Sequence, residues 1–111
     1  MADFIHQDMA KGRWFKMSLC EQLGNAGSEV GRAIKWHNKG NIEQRNRAID
    51  RALDLLDLTI TDKRWRNRLS EITRGRALLA DLFYGKNEFN STHANMESYY
   101  YHFALASRAN R

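Results

Sequence analysis

The sequence contains no proline and a single cysteine, and both shortages restrict what the chain can form. Proline breaks helix interiors, so a chain without it can be helical over most of its length. With Cys20 alone, the chain can form neither an internal disulfide nor a zinc site built on several thiolates. Runs in which β-branched and polar residues alternate are also missing, which argues against a sheet. We therefore predict an all-α protein in a reducing compartment, the cytoplasm.

Long hydrophobic segments are absent as well. A membrane-spanning helix needs about 20 mainly apolar residues, and a secretory signal needs a continuous apolar segment near the N-terminus. Neither pattern occurs, so we expect a soluble protein that does not enter a membrane. A chain of 111 residues is typical of one domain, and we predict a single domain over residues 1–111 with an irregular lead-in over residues 1–12.

The clearest signal that is present is the helical periodicity of residues 45–60. Its larger apolar residues recur every three or four positions and therefore share one face of an α-helix. They are Ile49, Leu53, Leu56 and Ile60, and the stripe is widened by Ala48, Ala52 and Leu55. Glu43 and Arg47, four positions apart, form an ion pair that supports the same helix.

Glycine and capping residues divide the chain into four predicted helices. Glycine ends helices readily, whereas Asn, Asp, Ser and Thr cap the start of the next one. The residues that mark these breaks are Gly40 with Asn41, Asp62, Gly85, and Ser91 or Thr92. The first helix should cover residues 13–38 and the second should end near Thr61. Because short connections make neighbours antiparallel, we predict an antiparallel up-down-up-down four-helix bundle.

The later helices also carry apolar stripes that should face the core. In the third helix these residues are Trp65, Leu69, Ile72, Leu79, Leu82 and Phe83. In the fourth helix they are Met96, Tyr99 or Tyr100, Phe103 and Ala106.

Three glycines on one strip of the first helix are unusual, because each destabilises a helix interior by roughly 1 kcal/mol relative to alanine. They are Gly24, Gly27 and Gly31. One interpretation is a smooth groove that admits another backbone or an aromatic ring. The other is a local kink over residues 24–27.

Residues able to do chemistry are present but do not form a known catalytic pattern. Asp50, Asp54 and Asp57 share a helix face and would bind a metal only if they converged; the other interpretation is ordinary solvated acids. His37 and His102 are either ligands or acid–base groups, or else packing residues beside aromatic neighbours. We predict that the protein is not an enzyme and binds no cofactor or metal.

The charge balance points to a polyanion. Lys and Arg number 18 against 13 Asp and Glu, for a formal net charge of +5. Arginine beside tryptophan suits phosphate contacts combined with base stacking. The candidate nucleic-acid-binding residues are Arg45, Arg47, Arg51, Lys63, Arg64, Trp65, Arg66 and Arg68. The alternative is that these arginines only solubilise the surface and pair with Asp54, Asp57 and Glu71.

Aromatic residues are more numerous than a small bundle needs to fill its core. Three consecutive tyrosines span most of a helix circumference, so at least one must face water or a partner. We predict a homo-oligomer whose interface includes Trp14, Trp36, Tyr99, Tyr100 and Tyr101.

The patterns RALDLLDLTI (51–60) and RLSEITRGRALLADLF (68–83) resemble the second and third helices of a family of small four-helix bundles. The family includes the accessory variability proteins of diversity-generating retroelements and proteins encoded in intervening sequences of bacterial large-subunit ribosomal RNA. The resemblance covers residues 40–108. The glycine-rich first helix and the tyrosine run depart from the family pattern.

The resemblance implies an oligomeric ring of bundles that partners a reverse transcriptase and its RNA template without being a catalyst. The positions matching the family's basic surface are Arg45, Arg47, Arg51, Arg64, Arg66 and Arg68. We therefore predict a non-enzymatic accessory protein that binds RNA or DNA and partners a reverse transcriptase in a diversity-generating retroelement. The alternative is a structural or protein–protein interaction bundle that touches no nucleic acid.

Overall fold

The structure, a computed structural model, describes residues 12–109, with side chains up to Ser107. Across this range there are four α-helices and no strand, which confirms the predicted all-α helical bundle. The helices are α1 (Leu19–Asn38), α2 (Ile42–Thr61), α3 (Leu69–Tyr84) and α4 (His93–Ala109). Short 3₁₀ helices, Trp14–Lys16 and Lys63–Arg68, precede α1 and α3. The predicted lead-in lies outside the described residues except for Gly12.

The start of α1 is later than the predicted residue 13, because Ser18 caps the helix. The Ser18 hydroxyl accepts a hydrogen bond from the Glu21 N–H, and the Glu21 carboxylate accepts one from the Ser18 N–H. This capping box satisfies two N–H groups at the helix start. The order S-x-x-E is visible in the sequence and is the signal that the prediction missed.

The other predicted breaks are confirmed. Gly40 has a φ of 76°, in the left-handed region that favours glycine, and the Asn41 side chain accepts a hydrogen bond from the Gln44 N–H. At the start of α4, the Thr92 hydroxyl accepts a hydrogen bond from the Asn95 N–H, so Thr92 is the cap.

The predicted third helix begins differently from the prediction. Asp62 caps a 3₁₀ helix rather than an α-helix, and Trp65 lies outside helical geometry at φ −101° and ψ 21°. A 3₁₀ helix has three residues per turn, so the positions after it are rotated relative to a continuous α-helix. For this reason the prediction that Leu69 faces the core is wrong: its side chain is 37% exposed.

The core lies mainly between α1 and α2. Its buried residues in these helices include Leu19, Leu23, Ala26, Val30, Ala33, Ala48, Ile49, Ala52, Leu55 and Leu56. Contacts run in opposite chain directions, from Gln22 with Asp62 to Glu29 with Arg51. Among residues 12–109, no helix combines the length and apolar character needed to cross a bilayer.

The glycine strip of α1 is where α4 approaches most closely. A Cβ built on Gly27 would lie 2.6 Å from the Cβ of Tyr100, and one on Gly24 would lie 3.1 Å from the Cα of Ala104. Helix α1 runs without a break through these glycines. The predicted groove is therefore present and admits the backbone of α4, and the kink is not present.

The opposite flank of α4 is open. Few Cα atoms of α3 and α4 approach within 8 Å of each other, in contrast to the pairs α1–α2 and α1–α4. A groove of about 400 Å³ remains between α3 and α4, with Leu78, Met96 and Tyr99 among its lining residues. Because the backbones of this pair stay apart, the complete up-down-up-down arrangement stays a prediction.

Candidate nucleic-acid interface

A buried carboxylate, Asp62, organises the end of the bundle where α2 stops. Its oxygens accept hydrogen bonds from the Arg64 backbone N–H, from Arg64 Nε and Nη2, and from Gln22 Nε2. Only 7% of Asp62 is exposed. The Arg64 guanidinium, followed by the Gln22 amide, lowers the pKa of Asp62 to about 2, although burial acts in the opposite direction. Asp62 is therefore ionised throughout the neutral range.

Gln22 extends this network to both tryptophans of the same end. Its Nε2 donates to the Trp14 carbonyl at 2.9 Å, while its Oε1 accepts from Trp65 Nε1 at 2.8 Å. Trp14 Nε1 donates in turn to the Thr59 hydroxyl at 3.3 Å. The Gln22 side chain is fully buried with its polar atoms bonded, so the network fixes the two 3₁₀ helices on α1 and α2.

Arg64 joins the two 3₁₀ helices directly. Its Nη2 donates to the Met17 carbonyl at 2.7 Å, and its guanidinium lies 4.4 Å from the centre of the Trp65 ring. Arg64 is therefore less available to a partner than predicted, because its Nε and Nη2 donors are bonded within the chain. Trp65 is half-buried, with its N–H bonded and Arg64 on its ring, so the stacking face predicted for it is occupied within the chain.

Four cationic side chains project from these two fixed 3₁₀ segments: Arg13, Lys16, Lys63 and Arg66. All four are exposed, and across residues 12–109 none forms an ion pair with a carboxylate. Each lies one or two positions from a residue of the Asp62 network. We call these four residues the basic end. The sequence predicted Lys63 and Arg66 but missed Arg13 and Lys16, because nothing local marks the first 3₁₀ helix as a neighbour of the second.

The predicted arginines in the middle of α2 have carboxylate partners. Arg47 pairs with Glu43 at 2.9 Å, as the sequence predicted, and Arg51 pairs with the buried Glu29 of α1. Arg47 is thus offset by its own acid, whereas Arg51 shares Glu29 with Arg32, so both arginines are less available to a polyanion than unpaired ones.

The arginines that follow the basic end are also paired. Arg68 bonds both oxygens of Glu71, and Arg76 bonds Asp57 across the α2–α3 contact. These two pairs match the alternative interpretation of the basic residues, in which arginines pair with surface acids.

Arg45 belongs to a second cluster at the opposite end, the histidine end, formed by His37, Arg45, Phe83 and His93. Arg45 Nη1 lies 3.2 Å from His37 Nδ1, and the rings of His37 and His93 are 4.5 Å apart in an edge-to-face arrangement. His93 also stacks on Phe83 at 5.1 Å. Burial, then the neighbouring His37 and Arg45, lowers the pKa of His93. His37 thus packs as one interpretation expected, and His102 is exposed.

The five residues predicted to form an oligomer interface differ in their exposure. Trp14 and Tyr100 are 0% and 1% exposed, so both are buried within one chain and the prediction that they form an interface is wrong. Trp36 is half-buried, with the Lys39 ammonium 5.3 Å from its ring centre. Tyr99 and Tyr101 remain exposed at the surface.

No group of three or more His, Cys, Asp or Glu side chains in residues 12–109 is arranged to hold a metal ion. No protein-family model, curated protein or solved structure matches the chain. Any function must therefore be inferred from the residues and their geometry.

Proposed function

We propose that this protein is a non-enzymatic nucleic-acid-binding protein that contacts the phosphate backbone through the basic end. The observation that carries the proposal is the contrast in pairing. Within residues 12–109, Arg13, Lys16, Lys63 and Arg66 have no carboxylate partner, whereas most other predicted arginines do. Unpaired cations release counterions when they bind phosphate, and that release is the main source of affinity.

The structure beneath the basic end supports the same proposal. The Asp62 network holds both 3₁₀ helices in place, so four flexible side chains project from a fixed base. The start of α1 lies at this end, next to Met17, and contributes the partial positive charge of a helix N-terminus. Because Glu21 already caps this helix start, the excess positive charge of the basic end comes mainly from the four unpaired cations.

The resemblance of residues 51–60 and 68–83 extends the proposal to a partner, namely a reverse transcriptase with its RNA template. Under this proposal the basic end holds the nucleic acid while another surface meets the enzyme. Co-purification of the chain with a reverse transcriptase encoded beside it tests this part separately.

The binding experiment uses fluorescently labelled single-stranded RNA and DNA and two double variants that remove the same charge. Lys63→Gln/Arg66→Gln removes unpaired cations of the basic end, and Arg47→Gln/Arg68→Gln removes exposed cations that are already paired. We expect the first to weaken binding by on the order of tenfold and the second to change it little. Circular dichroism checks that both variants keep the helical fold.

Equal losses in the two double variants would show that total charge, not the basic end, governs binding. No binding by the wild-type chain, alone or with its partner enzyme, would favour the structural or protein–protein interaction bundle instead.

A further inference from the structure

The groove between α3 and α4 has an apolar floor that the isolated chain leaves open to water. Leu78, Met96 and Tyr99 line it together with Gly75, which has no side chain to fill the space. Met96 is buried, but Tyr99 is 36% exposed and Phe89, at the edge of the groove, is 62% exposed. Large aromatic residues exposed beside an apolar groove are typical of an interaction surface.

The loop that presents Phe89 is held in place by hydrogen bonds. The Asp81 carboxylate accepts from the N–H groups of Glu88 and Phe89, at 3.2 and 3.3 Å. Asn87 bonds Ser91 twice, as donor to its carbonyl and as acceptor from its N–H. Phe89 is thus fixed in an exposed position, which lowers the entropy lost when a partner covers it.

The α3 side of the groove carries both an acidic and a basic side chain, which could pair with the same two side chains of a second copy. Glu71 and Arg74 both line it and lie three positions apart on the same helix. If a second α3 lay antiparallel across a two-fold axis between these positions, Glu71 of each copy would face Arg74 of the other. In a two-fold contact the same patch meets itself, so Glu71, which bonds Arg68 of its own chain, would also lie opposite Arg74 of the other copy.

We infer that the α3–α4 groove is a two-fold interface with a second copy of this chain, in which Phe89 of each copy covers the apolar floor of the other. This surface is distinct from the basic end. It also differs from the interface predicted from the sequence, with which it shares only Tyr99. The inference does not rest on nucleic-acid binding, and two basic ends per dimer would follow from it.

The first test is sedimentation equilibrium of the full chain from micromolar to millimolar concentration. We expect the mass to rise from 13.0 kDa to twice that value. Phe89→Ser should weaken dimerisation by at least roughly tenfold, as expected for a central aromatic contact. Tyr101→Ser, which removes an exposed tyrosine outside the groove, is the control and should leave the mass curve unchanged.

The second test exchanges charges and detects only a two-fold contact. Glu71→Lys alone places two bases opposite each other, and Arg74→Glu alone places two acids opposite each other, so each variant should stay monomeric. Mixed in equal amounts, the two variants restore an opposite-charge pairing across the interface and should form a heterodimer. Circular dichroism confirms that each variant is folded, because Glu71→Lys also removes the Arg68 partner.

A wild-type chain that remains at 13.0 kDa throughout overturns the inference, whether the groove is then covered by another segment of the chain or by a different protein. A trimer or another odd-numbered ring overturns it too, because such a ring needs a contact between unlike surfaces. Failure of the mixed variants to associate, with each variant folded, has the same consequence.

Discussion

Both ends of the bundle are rich in cationic residues, but the groups that surround these residues differ between the ends. At the basic end, a single buried acid, Asp62, binds Arg64 and fixes a base from which four unpaired cations project. At the histidine end, Arg45 lies against His37 and over the Phe83 ring, and the next arginine along α2 is paired with Glu43. The comparison shows that the number of basic residues alone does not tell which of them are free of acidic partners.

The largest expected effect is the loss of the carboxylate beneath the basic end. Asp62→Ala removes the buried acceptor shared by Arg64 and Gln22, and we expect it to lower the free energy of unfolding by about 2–3 kcal/mol. Urea denaturation measures the change. Glu43→Ala breaks an exposed pair and is the control, with an expected change of at most about 0.5 kcal/mol. If Asp62→Ala and Glu43→Ala lowered the free energy of unfolding by similar amounts, the buried acid at the basic end would be no more important than an exposed ion pair.

Acid titration tests the same carboxylate without a substitution. The pKa of Asp62 falls from its ordinary 3.8 to about 2 on folding, so its contribution is complete above pH 3.8 and is lost as the pH falls toward 2. That shift corresponds to roughly 2 kcal/mol. The wild-type chain should lose this amount over that interval and Asp62→Asn should not. A wild-type curve parallel to that of the variant would contradict the assignment.

Between the two ends, α4 packs against the glycine strip of α1. This uncharged contact can be compared with the two charged ends. Gly27→Ala places a Cβ 2.6 Å from the Tyr100 Cβ, so the helices must separate, and we expect a loss of roughly 1–3 kcal/mol that does not depend on salt. Gly31→Ala is the matched control. Its Cβ would meet only Glu97 Oε2 at 3.5 Å, so better helix propensity should stabilise the protein by up to about 1 kcal/mol. Changes in melting temperature of the same sign would contradict this packing.

A smaller effect is expected at the Tyr100 hydroxyl, which is buried and has no hydrogen-bond partner among residues 12–109. Burial raises the pKa of Tyr100. Tyr100→Phe removes a polar atom without changing the packing, so the protein should be unaffected or stabilised by up to about 1 kcal/mol in urea denaturation. A clear loss of stability would mean that the hydroxyl is bonded after all.

The histidine end should respond to mild acid. Because the pKa of His93 is lowered in the folded state, the unfolded chain takes up a proton first as the pH falls through 6.5, and stability decreases. His93→Phe keeps an aromatic ring on Phe83 and should flatten this part of the pH curve. His102→Gln removes an exposed histidine and should not. If the wild type, His93→Phe and His102→Gln showed the same pH dependence of stability, His93 would not be the group responsible for it.

Local patterns in the sequence predicted the helices and most caps, because Gly40, Asn41 and Thr92 act on neighbouring residues only. The glycine strip likewise predicted a close helix contact, since small residues at helical spacing leave room for another backbone.

What local patterns could not show is which distant groups meet. Asp62 lies only two positions before Arg64, but the further hydrogen bonds of this pair come from Met17 and Gln22, more than 35 positions earlier. The sequence therefore could not predict that the two 3₁₀ helices lie side by side and together form the basic end. The groove also escaped prediction, because the separation of α3 and α4 depends on the whole bundle.

The most direct measurement of the central claim is the dependence of nucleic-acid affinity on salt. For single strands, log affinity falls with log salt concentration by about 0.7 for each phosphate contact. Lys63→Gln/Arg66→Gln should therefore reduce the slope of the wild-type chain by roughly 1.4, and Arg47→Gln/Arg68→Gln should leave it unchanged. The same slope in the wild-type chain and in Lys63→Gln/Arg66→Gln would contradict the claim that unpaired cations of the basic end hold the phosphate backbone.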